Sequence, residues 1–123
     1  MSNDLISVIM SSFNSEKTIE ESIQSILNQD YKNIEFLIVD DCSKDSSLSI
    51  MKRLREDDKR IKIIENKKNI GLTKSLNKLL KISNGKYIAR QDSDDVSLPH
   101  RLTTQINFIK KTNSEIILSL IHI

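Results

Sequence analysis

Glycine is nearly missing from this chain: Gly71 and Gly85 are the two it has in 123 residues. A Gly-x-Gly-x-x-Gly turn or a Gly-x-x-x-x-Gly-Lys loop cannot be written from them, so a dinucleotide Rossmann motif and a P-loop kinase are both poorly supported. Cysteine is scarcer still. With Cys42 alone no internal disulfide can form, which fits a reducing compartment and hence the cytoplasm. No basic leader region stands at Met1–Asp4, so no signal peptide is expected. No apolar run is long enough to cross a bilayer. Lys+Arg at 19 against Asp+Glu at 17 leaves a net charge of +2, too weak to point to nucleic acid or an anionic membrane as the main partner. There is no internal repeat and no low-complexity linker. A hydrophobic content of 37% predicts one compact domain with an aliphatic core.

What is present is an alternation. Ile6–Met10, Glu35–Val39, Ile61–Ile64 and Tyr87–Ala89 are short apolar runs that suit strands buried on both faces. Between them apolar residues recur at helical spacing: Ile19, Ile23, Ile26 and Leu27 in a helix expected from Ser15 or Glu16; Leu48, Met51 and Leu54; Leu72, Leu76, Leu79 and Leu80 after Gly71. Leu102, Ile106 and Ile109 give a fourth helix, with Ser97 and Pro99 as its start signals. This pattern predicts a mostly parallel sheet in a three-layer α/β/α sandwich, with the strands' carboxyl ends on one edge. Three polar clusters should meet there: Ser11 to Asn14, Asp40-Asp41, and Asp92 to Asp95.

In open α/β sheets ligands sit in the crevice outside the carboxyl ends of the strands. Asp92, Asp94 and Asp95 would repel one another there unless a cation joined them. Mg²⁺ and Mn²⁺ take carboxylate oxygens and bridge to substrate phosphates. The residues therefore point to a divalent metal site that holds a diphosphate. Acidic residues between a strand and a helix are also the ordinary composition of a solvated turn. Convergence with the other two clusters is what favours the metal reading. A receiver-like regulatory domain would need its acid pair beside the first strand, where this chain has Ser11-Ser12. Cys42 has no candidate base nearby in sequence, and the lone His100 and His122 lack ligand spacing.

The segments Ser7-Val-Ile-Met-Ser-Ser-Phe-Asn14, Phe36-Leu-Ile-Val-Asp-Asp-Cys-Ser43, Asn69-Ile-Gly-Leu72 and Tyr87-Ile-Ala-Arg-Gln-Asp-Ser-Asp-Asp95, followed by Pro99 and Arg101, together resemble glycosyltransferase family 2. The resemblance runs from about Ile6 to Lys111 and implies the GT-A nucleotide-sugar fold, Rossmann-like and here truncated. It implies Ser11 and Phe13 at the nucleotide base pocket, Asp41 hydrogen-bonded to the base with Asp40 assisting, and Lys74 and Asn77 near the donor. It implies Asp94 as the direct ligand of Mn²⁺ or Mg²⁺, with Asp92 at the ribose or the metal and Asp95 in support. Arg90 is placed to pair with one of these carboxylates or with the diphosphate.

The implied activity is inverting transfer of a sugar from a nucleotide-diphosphate sugar, a UDP-sugar foremost, to a glycan or lipid-linked acceptor. Cell-envelope polysaccharide synthesis is the implied setting, with peripheral association of the full-length protein at the inner face of the membrane. The family's general base lies well downstream of the acidic loop, so it is expected beyond Ile123, and no catalytic residue is assigned within the chain. Residues 1–117 are expected to be the nucleotide-sugar-binding half. Residues 118–123 resemble an in-frame adapter translation and are expected to be a non-native tail. The alternative is a catalytically inert fragment that binds nucleotide and metal.

Overall fold

The computed structural model describes residues 3–112. Eight elements alternate along them: β1 (Ile6–Ser12), α1 (Ile19–Leu27), β2 (Ile34–Asp40), α2 (Ser47–Asp57), β3 (Ile61–Glu65), α3 (Leu72–Ile82), β4 (Tyr87–Arg90) and α4 (Arg101–Thr112). The four strands form one sheet in the order β3-β2-β1-β4, and all three ladders are parallel. The expected strand following α4 and the 118–123 tail lie outside the described residues.

Successive strand residues face opposite layers, and the burial divides accordingly. Ile6, Val8 and Met10 of β1 with Phe36 and Ile38 of β2 pack against Ile19, Ile23 and Ile26 of α1, Met51 and Leu54 of α2, and Leu102, Ile106 and Ile109 of α4. Ile9, Leu37 and Val39 face the other way and meet Leu79 of α3 with Leu76 beside it. Three helices thus cover one face and α3 the other. Each fully buried Ile, Leu or Met side chain contributes about 1.5–3 kcal/mol of transfer free energy, which is why the central strands β1 and β2 accept apolar residues on both sides.

Register carries the polar clusters to one edge. Ser12 pairs with Asp40 and Asp40 with Glu65, while Ile9 pairs with Arg90, so every strand releases its chain on the same side. Two of the helices, α1 and α4, begin later than the sequence predicts. α1 starts at Ile19, whose N–H donates to the Ser15 carbonyl at 2.8 Å, while Ser47 Oγ accepts from Ser15 N–H at 2.7 Å and Glu16 Oε2 accepts from Ser46 N–H at 3.2 Å. α4 starts at Arg101 and not at Ser97 or Pro99, since the Ser97 hydroxyl donates to Gln91 Oε1 at 2.7 Å and caps no helix.

Two backbone positions need glycine. Gly71 caps α3 with φ of 90°, a left-handed conformation that costs other residues strain. Gly85 lies against β1: a Cβ there would sit 2.5 Å from Ser7 N and 2.6 Å from Ser7 Oγ. The close approach is fastened by Glu35, which is 6% exposed. Its carboxylate accepts from Ser7 Oγ, and from Asn84 N–H at 2.6 Å, while Gly85 N–H donates to Ser7 Oγ at 2.8 Å. Burial alone would raise the Glu35 carboxyl, but these hydrogen bonds and Lys62 hold it below its ordinary value.

Candidate functional site

β4 delivers the chain to the carboxyl edge, and the segment 91–97 turns there before α4. Asp95 N–H donates to the Asp92 carbonyl at 3.0 Å, so the acidic residues sit on a closed turn. The turn is fastened to the first layer by hydroxyls. Ser22 Oγ donates to the Asp92 carbonyl at 2.9 Å, Thr18 Oγ1 donates to the Ser93 carbonyl at 3.0 Å, and Ser15 and Ser93 share a hydroxyl bond at 2.7 Å. Ser97 N–H donates to Ser25 Oγ at 3.0 Å. None of these four α1-side positions was singled out in the sequence. Their signal is a polar stripe, Ser15, Thr18, Ser22 and Ser25, at helical spacing beside the apolar one.

Beneath the turn lies a second set of ties. Gln91 is 1% exposed; its amide donates to the Asp95 carbonyl at 2.7 Å and its Oε1 accepts from Arg101 Nη1 at 3.0 Å. Arg101, also 1% exposed, donates further to Ser97 Oγ at 3.2 Å and to the Arg90 carbonyl at 2.8 Å. Among the described residues its guanidinium forms no ion pair within 4.0 Å. Burial lowers its pKa, against the field of Asp95 and Asp92, which favours the charged form. A buried cation in the field of Asp95 and Asp92 is thus the standing countercharge of the turn.

Oxygens of Asp92, Asp94 and Asp95 all lie within 4.8 Å of one another. Oxygens on opposite sides of Mg²⁺ are about 4.2 Å apart, so small side-chain rotations would gather these three around such an ion. The donor set, all carboxylate oxygen, is that of a hard divalent cation. Arg90 Nε donates to Asp92 Oδ1 at 3.0 Å, so Asp92 is already oriented while Asp94 stands exposed at the rim.

Asp92 and Asp94 border a depression of about 650 Å³. Ser11, Phe13, Arg90, Asp92 and Asp94 line it together, with Leu72 from the start of α3 and Asn14 to Thr18 from the loop after β1. The Phe13 ring is 47% exposed, an unusual position for an aromatic that the core could have taken. Of the residues singled out in the sequence, Ser11, Phe13, Asp92 and Asp94 are therefore brought to one place.

Arg90 lines the depression as well and Asp95 sits on the same turn, whereas Asp40, Asp41, Lys74 and Asn77 are not part of its lining. Asp40 is buried, with Oδ2 accepting from Ser43 N–H at 3.1 Å and Oδ1 without a partner. Asp41 is buried too and holds the β3–α3 loop: it accepts from Ile70 N–H at 2.8 Å, Gly71 N–H at 2.9 Å and Asn66 Nδ2 at 2.9 Å. Desolvation would push its carboxyl up; these bonds and nearby Lys78 outweigh that and hold it low. Lys74 and Asn77 are exposed on α3, and Asn77 borders a smaller groove with Ile9, Leu76, Leu80 and Ile88, which adjoins the depression because Leu72 and Arg90 line both. His100 is bound to Asp30 at 2.6 Å, and half-exposed Cys42 donates to the Lys67 carbonyl at 3.5 Å.

The chain is similar to known proteins in sequence and in fold. EpsE of Bacillus subtilis is 50% identical over 107 residues, covering 86% of this chain and 38% of its own length. WfgD of Escherichia coli, a UDP-Glc:α-D-GlcNAc-diphosphoundecaprenol β-1,3-glucosyltransferase, is 41% identical over 113 residues, 92% of this chain and 44% of its own. The chain thus spans about two fifths of the length of these curated relatives. Among solved structures, TarS of S. aureus in complex with UDP-GlcNAc superposes with a TM-score of 0.81 at 34% identity, over 88% of this chain and 32% of that one. The Pyrobaculum calidifontis mannosyltransferase PcManGT, in complex with GDP-Man and Mn²⁺, superposes with a TM-score of 0.80 at 25% identity, over 85% and 32%. The parallel four-stranded sheet and its four helices accordingly form an α/β, GT-A-like fold. The model of the family described as "Glycosyl transferase family 2" matches residues 7–122, and the chain belongs to that family.

Proposed function

We propose that this chain forms the donor-binding side of a metal-assisted, inverting glycosyltransferase that uses a nucleoside diphosphate sugar, with UDP as the nucleotide. The observation that carries the reading is the clustering of Asp92, Asp94 and Asp95 on one turn whose Asp92 and Asp94 line a depression together with Phe13 and Ser11. A diphosphate has no glycine cradle here, so its charge needs a cation, and Asp94 with Asp92 would hold it. Mn²⁺ or Mg²⁺ bound there would supply Lewis-acid stabilisation of the leaving diphosphate. Phe13 would offer a ring face to the base, with Ser11 beside it. Relatives that bind UDP-GlcNAc or GDP-Man with Mn²⁺, or that act on a diphosphoundecaprenol-linked sugar, support the donor class and a lipid-linked acceptor.

In the transfer, the acceptor hydroxyl oxygen bonds to the anomeric carbon as the bond from that carbon to the diphosphate oxygen breaks. The hydroxyl proton passes to a general base. Among the described residues, the other acids lining the depression are engaged: Glu16 accepts from Ser46 N–H, and Asp45 accepts from Ser47 Oγ at 2.6 Å and from Glu16 N–H at 3.1 Å. That observation favours a second reading for the isolated 123-residue chain, namely donor binding without acceptor-dependent transfer.

Calorimetry with UDP, with and without Mn²⁺, tests the first reading. Tighter binding with metal is expected, and Asp94→Asn should remove most of that gain; equal affinity in both conditions would end the metal role. Incubation with nucleotide-sugars, metal and candidate acceptors tests the second. Trace donor hydrolysis is expected, and robust glycoside formation would overturn it.

A further inference from the structure

The near-zero charge balance of the whole chain conceals a strong polarity. Residues 66–91 hold seven of its 19 Lys+Arg and none of its 17 Asp+Glu, so the remainder is net acidic. Those residues build the β3–α3 loop, α3 and β4, and α3 covers one face of the sheet by itself among the described elements. The sequence polarity is therefore a polarity of faces.

On that face Lys74, Lys78 and Lys81 follow one another along α3 at helical spacing, with Lys67 and Lys68 at one end and Lys86 at the other. Two acids lie beneath them, and both are buried: the Glu35 carboxylate is taken by Ser7 and Asn84, with Lys62 at 3.5 Å, and that of Asp41 by Ile70, Gly71 and Asn66. Among the described residues, Lys67, Lys68, Lys74 and Lys81 form no ion pair. The acids of the first two helices, Glu20, Glu21, Glu56 and Asp57, lie in the opposite layer.

Apolar side chains stand among these lysines. Leu80 is 43% exposed and Ile82 44%, although α3 has a core to enter. Unpaired lysines beside exposed aliphatic residues on one helix make the chemistry of a surface that rests on anionic headgroups. Nucleic acid would be met instead by planar guanidinium groups and stacking rings. Here the sole arginine, Arg90, is bonded to Asp92, and Tyr87 is half-buried under Lys86, 5.7 Å from its ring centre.

We propose that the α3 face is a docking surface for an anionic lipid bilayer. The lysines lie against headgroup phosphates, and Leu80 and Ile82 enter the interface at shallow depth. Leu72 opens α3 and also lines the depression that holds Asp94, so docking would set the mouth of that depression beside the headgroups. This orientation suits an acceptor that is itself anchored in the membrane, but the docking does not depend on the transfer chemistry.

The test is sedimentation of the whole chain with phosphatidylcholine vesicles and with equimolar phosphatidylcholine–phosphatidylglycerol vesicles, at low and at near-physiological salt. Binding to the anionic vesicles alone is expected, weakening as salt rises. Each lysine near such a surface is worth about fivefold in partitioning, so K67E/K68E/K81E should lower it by at least about a hundredfold. All three side chains are exposed, so the variant should keep its melting temperature and its affinity for UDP. L80S/I82S should weaken binding while leaving its salt dependence intact. Equal partitioning onto neutral vesicles would overturn the proposal, as would indifference to the charge reversal. Tighter binding to single-stranded or duplex DNA than to the anionic vesicles at the same salt would also overturn it.

Discussion

Arg101 is a charged side chain that burial works against, 1% exposed and with its pKa lowered by desolvation. Among the described residues it forms no ion pair, its Nε has no partner, and its other nitrogens hold Gln91, Ser97 and the Arg90 carbonyl. Arg101→Met removes these bonds and leaves their acceptors buried. We expect a loss of about 2–4 kcal/mol by urea denaturation, with weaker Mn²⁺ binding because the acidic turn loses both its clasp and its countercharge. Arg101→Lys keeps the charge but not the fork and should recover part of the Mn²⁺ affinity. If Mn²⁺ binds the Met variant as it binds the parent, well below the melting temperature, the clasp has no bearing on the metal. Gly85 sets the other extreme, a position where one methyl group is too many. Its added Cβ would meet backbone and hydroxyl of Ser7 at 2.5 and 2.6 Å. Gly85→Ala should cost about 1–3 kcal/mol, read as a lowered urea midpoint. An unchanged midpoint would mean that β1 can yield there.

At the scale of elements, the strands and the helix faces were legible because burial on a periodic lattice leaves a period in the sequence. The runs ending at Met10, Val39, Ile64 and Ala89 all lie within observed strands, and the isoleucines of α1 face the core as their spacing implies. Helix starts were less legible, since a serine or acid at a loop has several backbone donors and acceptors to choose from. Ser97 went to Gln91 and Glu16 to the α2 start. The buried polar ties of Gln91, Arg101 and Glu35 leave no period at all; they are visible only once distant segments are brought together. Asp41 belongs to this class, because its carboxylate organises the β3–α3 loop through Ile70, Gly71 and Asn66. Its pKa is held below the ordinary value in the folded state. The unfolded state therefore binds the proton more readily, and the stability gained is present above about pH 4 and lost as pH falls through the depressed folded value. Asp41→Asn should flatten part of the acid limb of a stability–pH curve, and Glu35→Gln another part. Because the loop leads into the start of α3, Asp41→Asn should also weaken UDP binding, with and without metal. Parallel acid limbs for parent and variant would contradict the assignment.

At the scale of the whole molecule, a parallel sheet collects the ends of β1, β2 and β4 on one edge, and α1 hydroxyls fasten the acidic turn over it. The central claim is that one ion, held on this turn, sits within reach of a diphosphate lying in the Phe13 depression. Paramagnetic broadening by Mn²⁺ at substoichiometric concentration, followed by NMR on the isotope-labelled chain with UDP present, reads this directly. We expect the amide signals of residues 92–95 to disappear first, followed by those of Ser11 to Ser15, with both phosphorus signals of UDP broadened as well. Asp94→Asn should restore the amides and sharpen the phosphorus lines. Broadening centred on another part of the chain, or of the amides without the phosphates, would contradict a metal shared between this turn and a nucleoside diphosphate.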